Sequence, residues 1–309
     1  MGEQVSHLEA TVLPIPARHL RVRHAGPDLE ADAIPTGDTS LEDLELRLLM
    51  EGVFALSGYD FRNYILPMLR RRVWQCVRDE HLRTISGFQE KALHDPDCLS
   101  RLVQALCINV TSLFRRPEFF EVLCRQVLPR LHTYPFIRIW HAGCATGEEV
   151  FSTAILLHEE GLYERCRIYA TDINAAALAQ ARAGILALDG LEAAQARYLR
   201  SGGRQHFSDY YTMTETGAVF APELRRNIVF AQHNLATDSS FNEFNLILCR
   251  NVLIYFSKTL QERVHSLFYR SLSMFGVLAL GSQETLRFSP FEHAYEELDS
   301  EQKLYRRVS

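Results

Sequence analysis

No CxxC pair occurs in this 309-residue chain, and its seven cysteines (76, 98, 107, 124, 144, 166 and 249) are scattered and odd in number. That excludes a disulfide or zinc framework and reads as reduced thiols in a cytoplasmic protein, with no metal expected. No apolar run approaches the ~18 residues that a membrane-spanning helix needs, so the protein is not expected to be integral to a membrane. The N-terminus lacks the apolar core of a signal peptide. Excess positive charge is also missing: the formal net charge is −5, which argues against whole-molecule attraction to nucleic acid or acidic lipid. What remains is an ordinary globular composition, 47% hydrophobic and 23% charged, long enough for two cores. Met1-Gly2-Glu3-Gln4-Val5-Ser6 matches the N-myristoylation pattern, but so short a match often arises by chance.

Residues 1–39 are rich in Pro, Gly, Ala and charge without a sustained period, and read as an extension or linker. Ser40 is a good helix cap with Asp43 in capping-box position, and Leu41, Leu44, Leu48 and Ala55 mark an apolar face of the first helix. A second helix is expected from Tyr59 or Asp60, interrupted or reopened at Pro67. A third starts at Asp95-Pro96 with Leu99, Leu102, Val103 and Leu106 inward, and a fourth follows Pro117. Residues 40–130 therefore read as a small all-helical domain. From 131 to 309 the texture changes to strands at 136–142, 167–172, 227–233, 245–250 and 277–281, with helices at 148–160, 174–187 and 257–273. That alternation implies an α/β domain with a mostly parallel sheet. Within it, His206–Thr212 and Ala218–Leu224 look like strands of a small antiparallel insertion spanning about 204–226. There is no internal repeat.

Ligands of a parallel α/β sheet bind beyond the carboxyl ends of its strands, where Gly143-Cys144-Ala145-Thr146-Gly147 follows the first strand. Glycines there let the backbone approach a ligand closely, or simply turn the chain. Glu148 and Glu149 continue the turn into a helix. Two carboxylates would repel the pyrophosphate that a dinucleotide fold seats at this position, yet they suit S-adenosylmethionine, which carries an ammonium and a sulfonium. The alternative is that they complement the helix dipole, at ~0.3–1 kcal/mol each. Asp172 ends the second strand, where a carboxylate can accept ribose hydroxyls or cap the next helix. Asn234 and Arg250-Asn251 end two further strands. Four successive strand ends thus bring polar groups to one crevice.

These residues resemble the CheR family of chemotaxis receptor methyltransferases, which are protein-glutamate O-methyltransferases. The matching segments, in the family's order, are Asn109-Val110-Thr111-Ser112-Leu113-Phe114-Arg115, Gly143–Glu149, Ala170-Thr171-Asp172-Ile173-Asn174, His233-Asn234-Leu235 and Cys249-Arg250-Asn251-Val252-Leu253-Ile254-Tyr255-Phe256. The resemblance runs from about residue 45 to the end. It implies a class I, Rossmann-like methyltransferase domain with a three-stranded β-subdomain, preceded by the all-α domain. It implies that Asn109, Thr111, Arg115, Gly143, Glu149, Asp172, Asn234, Leu235, Arg250 and Asn251 contact the cofactor, and that Arg115 and Tyr255 lie nearest the transferred methyl group. The chain departs from the family pattern at Leu113-Phe114, where two phenylalanines are usual. A Gly-His-Ser-Glu pattern is here Gly281-Ser282-Gln283-Glu284, and residues 1–39 have no counterpart.

The implied reaction converts glutamate side chains on the cytoplasmic methylation helices of chemoreceptors to methyl esters, leaving S-adenosylhomocysteine. Arg70, Arg71 and Arg78, in a basic run with Arg72 and Arg83, suit docking to such glutamate-rich helices, or are solvated arginines with packed stems. A monomer without nucleic-acid partners is expected. Two other readings stay open: a methyltransferase for small carboxylic acids, and an S-adenosylmethionine-binding signalling module with little receptor methylation.

Overall fold

The computed structural model describes residues 41–109, 111–186, 188–215 and 217–309. The readings made on residues 1–39, on Ser40 and on the Met1–Ser6 pattern lie outside these residues.

Four helices come first: α1 (Leu41–Ser57), α2 (Leu66–Asp79), α3 (Ile85–His94) and α4 (Pro96–Leu106). They share a core of their own that includes Leu49, Val53, Leu69, Val73, Phe88 and Leu102. The face of α1 that faces this core is not the one expected. Leu46, Leu49, Met50 and Val53 are buried, at spacings of three, four and seven, whereas Leu41, Leu44 and Leu48 are exposed. Both stripes satisfy the helical period, and only packing against α2 and α3 selects between them. α2 starts at Leu66, with Pro67 in its first turn, because Asp60 closes a local turn by accepting the Arg62 amide instead of starting a helix. α4 begins as expected, with the Asp95 side chain accepting the Asp97 amide.

Next come α5 (Pro117–Val122) and α6 (Leu128–Leu131), joined by a π-helical turn, Leu123–Val127. Pro129 in α6 lacks an amide hydrogen, and its ring crowds the carbonyl four residues back, which explains the widened turn just before it. Although residues 113–130 are read from sequence with the helical domain, the segment 113–131 packs in the same apolar cluster as the sheet.

The rest alternates: β1 (Ile137–Ala142), α7 (Glu148–Glu159), β2 (Cys166–Asp172), α8 (Ala175–Ala183), β3 (Ile185–Leu186), α9 (Leu191–Arg200), β4 (Tyr211–Thr214), β5 (Gly217–Phe220), α10 (Pro222–Arg225), β6 (Ile228–Gln232), β7 (Phe244–Cys249), α11 (Lys258–Ser271), β8 (Leu272–Leu280), β9 (Tyr295–Asp299) and β10 (Leu304–Arg307). Among the described residues the main sheet runs β6-β2-β1-β7-β8-β10-β9. Its first five strands are parallel, and β10 runs antiparallel between its neighbours β8 and β9. Chain order reverses about β1, which makes the carboxyl end of β1 the place for a ligand. The insertion is an antiparallel sheet, β3-β5-β4. Its strands are shorter than the expected segments, since Phe207–Tyr210 is a 3-10 turn and Pro222 opens α10. The third strand, β3, lies outside the expected range.

α11 carries a buried histidine, His265, 3% exposed. Burial pushes its pKa down from 6.5 to about 4. A folded value below the unfolded one contributes stability above pH 6.5 that disappears as pH falls through about 4. The lost stability is roughly 3 kcal/mol at most. Chemical denaturation between pH 7 and 4 should show this slope in the wild type, and His265→Leu should flatten it. Equal slopes in both proteins would contradict the assignment.

Candidate active site

The carboxyl ends of β1, β2, β6 and β7 open into one cavity, and the helical domain closes it. Asn109, Thr111, Arg115, Gly143, Glu149, Asp172, Asn234, Leu235, Arg250, Asn251 and Tyr255 all line it. The structure therefore brings together every residue that the family resemblance singled out for cofactor or catalysis. Arg70, Arg71 and Arg78 lie elsewhere, on α2. Arg70 is ion-paired with Glu42 and Asp43, Arg78 donates to Gln75, and Arg71 and Arg78 are exposed.

The turn after β1 is tied to β2, because the Gly143 and Cys144 amides both donate to the Thr171 carbonyl (2.8 and 2.9 Å). Gly143 has a φ of +80°, and a Cβ there would lie 2.5 Å from Val252 Cγ2. Only glycine fits, since both the backbone conformation and the close approach exclude a side chain. Asp172 is 8% exposed and accepts the Ala145 amide on Oδ2 (2.8 Å) and the Asn174 amide on Oδ1 (2.9 Å). Burial pushes its carboxyl up, against the pull of those amides. The cap of α8 is Asn174, whose side chain accepts from Ala176 and Ala177, so Asp172 is not the cap. Each Asp172 oxygen retains lone-pair capacity for a ligand hydroxyl.

Glu149 sits between two partners. Its Oε1 meets His141 Nδ1 at 3.2 Å, and its Oε2 accepts from Arg250 Nη1 at 2.7 Å. Burial would push the Glu149 carboxyl up, but the Arg250 charge and the His141 contact hold it below its ordinary value. The Arg250 side chain is 4% exposed and lies 3.7 Å over the Phe119 ring, so a desolvated cation is shared between a carboxylate and a π face. The Glu149 anion is thus paired with the Arg250 cation, and Glu148, expected to share the acidic character of the turn, does not line the cavity; its Oε2 accepts the Thr146 hydroxyl.

Arg115 reaches the cavity from a sharply folded segment. Its neighbours Phe114 and Arg116 have φ values of +50° and +61°, costly for non-glycine residues and held only where the surroundings over-determine them. The Phe114 amide donates to Ser152 Oγ (2.9 Å), its ring packs with Phe120 and Tyr198, and Arg197 donates to the Leu113 carbonyl. The departure at Leu113-Phe114 is absorbed by this packing, since both residues are buried in the sheet's cluster. Tyr255 joins the two domains through its backbone: its carbonyl accepts the Ile65 amide (3.0 Å), beside a bridge from Tyr64 to Phe256.

Sequence reasoning missed Tyr64, Cys107 and Ile108, which line the cavity from the helical side. Contacts at such separation leave no local pattern. His141 had a signal that went unread, a lone ionisable side chain in an otherwise apolar β1 apart from Arg138. All seven cysteines are free; burial pushes Cys107 in the cavity wall up to about 12, so it is an unreactive thiol.

The geometry agrees with the comparisons. Residues 109–303 match the family model described as the SAM binding domain of CheR methyltransferase, and residues 44–107 match its all-alpha domain. Cher3 of Pseudomonas putida is 45% identical over 265 residues, covering 86% of this chain and 97% of that protein. The chemotaxis protein methyltransferase of Listeria innocua is 31% identical over 231 residues, covering 74% and 85%. That of Salmonella typhimurium is 29% identical over 272 residues, covering 82% and 91%. The expected class I methyltransferase fold with an all-α domain and a small antiparallel sheet is present, and S-adenosylmethionine is the cofactor.

Proposed function

This chain belongs to the CheR methyltransferase family, and on that premise we propose that it methylates glutamate side chains on the cytoplasmic helices of chemotaxis-type receptors. The observation that carries this reading is the meeting of Arg115 and Tyr255 in a cavity whose other walls are Glu149, Asp172 and Asn251. An arginine and a phenol beside two fixed carboxylates give separate places for an anionic substrate group and a cationic cofactor.

The residues present fit S-adenosylmethionine. Asp172 offers acceptors for ribose hydroxyls, Glu149 offers a negative charge, and Asn109, Thr111, Asn234, Leu235, Arg250 and Asn251 complete the wall. When bound, S-adenosylmethionine supplies an activated methyl group. The substrate carboxylate is already ionised at neutral pH, so the protein has no proton to remove. The Arg115 guanidinium steers the carboxylate by charge-assisted hydrogen bonds, and the Tyr255 hydroxyl fixes its second oxygen. One oxygen then takes the methyl group, giving a methyl ester and S-adenosylhomocysteine. Orientation of this kind can supply roughly 7–11 kcal/mol.

The deciding experiment is transfer of radiolabelled methyl to receptor cytoplasmic fragments, with base-labile release identifying an ester. Label on small carboxylic acids alone would favour the small-acid reading. Cofactor binding without transfer to either would favour a signalling module.

Docking is assigned to the exposed Arg71 and Arg78, with Arg70 holding α2 against α1. Reversing Arg71 and Arg78 to glutamate should raise the receptor KM about tenfold or more at low salt and leave kcat near its original value. An unchanged KM would reject this docking surface. Cytoplasmic location and a monomeric state complete the proposal. The free cysteines support the first. No helix among the described residues is long and apolar enough to cross a membrane.

A further inference from the structure

The Gly281–Glu284 segment follows β8 and does not line the cavity, yet it controls one wall. Glu284 is 4% exposed. Its Oε2 accepts the amides of Gly281 and Asn251 (3.0 Å for the latter), and its Oε1 accepts those of Val252 (2.8 Å) and Leu253 (2.7 Å). Three consecutive amides thus converge on one carboxylate, an anion-binding nest filled by the chain's own side chain. Asn251 is held at a φ of +62°, a conformation that persists in a non-glycine residue only under such constraint.

The clamp is tight. A Cβ at Gly281 would lie 2.6 Å from Glu284 Oε2 and 2.8 Å from the Asn251 nitrogen, so glycine is required for the carboxylate to reach. Val252, held by Oε1, is also the residue against which Gly143 packs. The nest therefore sets how the Asn251-Val252 wall seats against the neighbouring Gly143 turn.

We propose that Glu284 is a positioning residue whose carboxylate, seated on the amides of residues 251–253, sets the 251–253 wall of the cofactor cleft against the Gly143 turn and with it the placement of Asn251 and Tyr255. This rests on the reading of the cavity as the methyl-transfer site. Glu284→Gln keeps the shape, but its NH2 group must face at least one amide donor, which breaks the nest. S-adenosylhomocysteine should bind the variant about tenfold more weakly by calorimetry, and kcat at saturating cofactor should fall about tenfold or more. Receptor KM should stay within about threefold, because docking lies on α2. Without cofactor, amides 251–253 should exchange at least about tenfold faster than in the wild type. Gly281→Ala, which displaces the carboxylate without removing it, should give the same pattern.

Wild-type affinity and kcat in a folded Glu284→Gln protein would overturn the proposal, even with a lowered Tm, since Glu284 would then serve stability alone. The wild type gives a test that needs no variant. Amides 251–253 should be protected like those of β7, and exchange at loop rates would refute the clamp. A wild type that bound no S-adenosylhomocysteine would instead count against the cofactor reading, while the exchange result would still judge the clamp.

Discussion

Asp172→Asn should weaken S-adenosylhomocysteine binding by about a hundredfold or more, since each 1.4 kcal/mol is a factor of ten and hydrogen bonds to a charged group contribute about 1.5–3 kcal/mol each. The geometry makes the change severe in two ways. Both carboxylate oxygens already accept backbone amides, from Ala145 and Asn174. An asparagine can satisfy one of these, and its NH2 group must oppose the other. Either the turn at 143–147 or the start of α8 then loses its bond to residue 172, and a ligand loses an anionic acceptor. Titration calorimetry with S-adenosylhomocysteine, alongside thermal unfolding, separates these effects. A stability loss of about 1–3 kcal/mol is expected from the broken amide bond, and affinity should fall even well below the unfolding range. An affinity within a factor of three of wild type would remove Asp172 from the binding site.

The second large effect belongs to Arg115. Arg115→Ala should lower kcat for receptor methylation by about a thousandfold, about 4 kcal/mol of lost transition-state positioning. Cofactor binding should weaken less, because Asp172, Glu149 and the walls at Asn234 and Asn251 remain. Arg115→Lys should recover only a small part of the rate, since a lysine has one charged point in place of a planar fork. Single-turnover rates at saturating receptor and cofactor give the measurement. Near-normal turnover in Arg115→Ala, with binding intact, would reduce Arg115 to a surface cation. The energy invested in presenting it argues otherwise. Phe114 and Arg116 both occupy left-handed conformations, and Phe114 is buried among Phe120, Tyr198 and Phe207.

The glycine turn shows what was legible in residues and what was not. Gly143 and Gly147 announced a tight turn, and Glu148-Glu149 announced its acidic continuation, because backbone freedom and charge are properties of residue type. The partners of that charge were not legible. His141 lies eight residues before Glu149 and Arg250 lies 101 residues after it, and their meeting depends on β1 and β7 pairing side by side. The same holds for Glu284. The sequence flagged its segment as a departure from the family pattern, while its function as a seat for three amides depends on β8 lying beside β7.

The first helix gives the converse case. Leu41, Leu44, Leu48 and Ala55 have a faultless helical period and yet face solvent, while Leu46, Leu49, Met50 and Val53 face the core. Periodicity identifies a helix, but two apolar stripes on one helix leave its rotation undetermined until neighbours pack against it. By itself, then, the sequence determined the helical start, the strand–helix alternation of the α/β class, the glycine turn with its acidic continuation and the family, all of which depend on short-range pattern and residue chemistry. Only the tertiary structure decided which face of α1 is buried, which domain the 113–131 segment packs with, and how Glu149 and Glu284 are held. Those outcomes rest on contacts between distant segments, whose free energy exists only once the sheet and the helical domain have closed on each other.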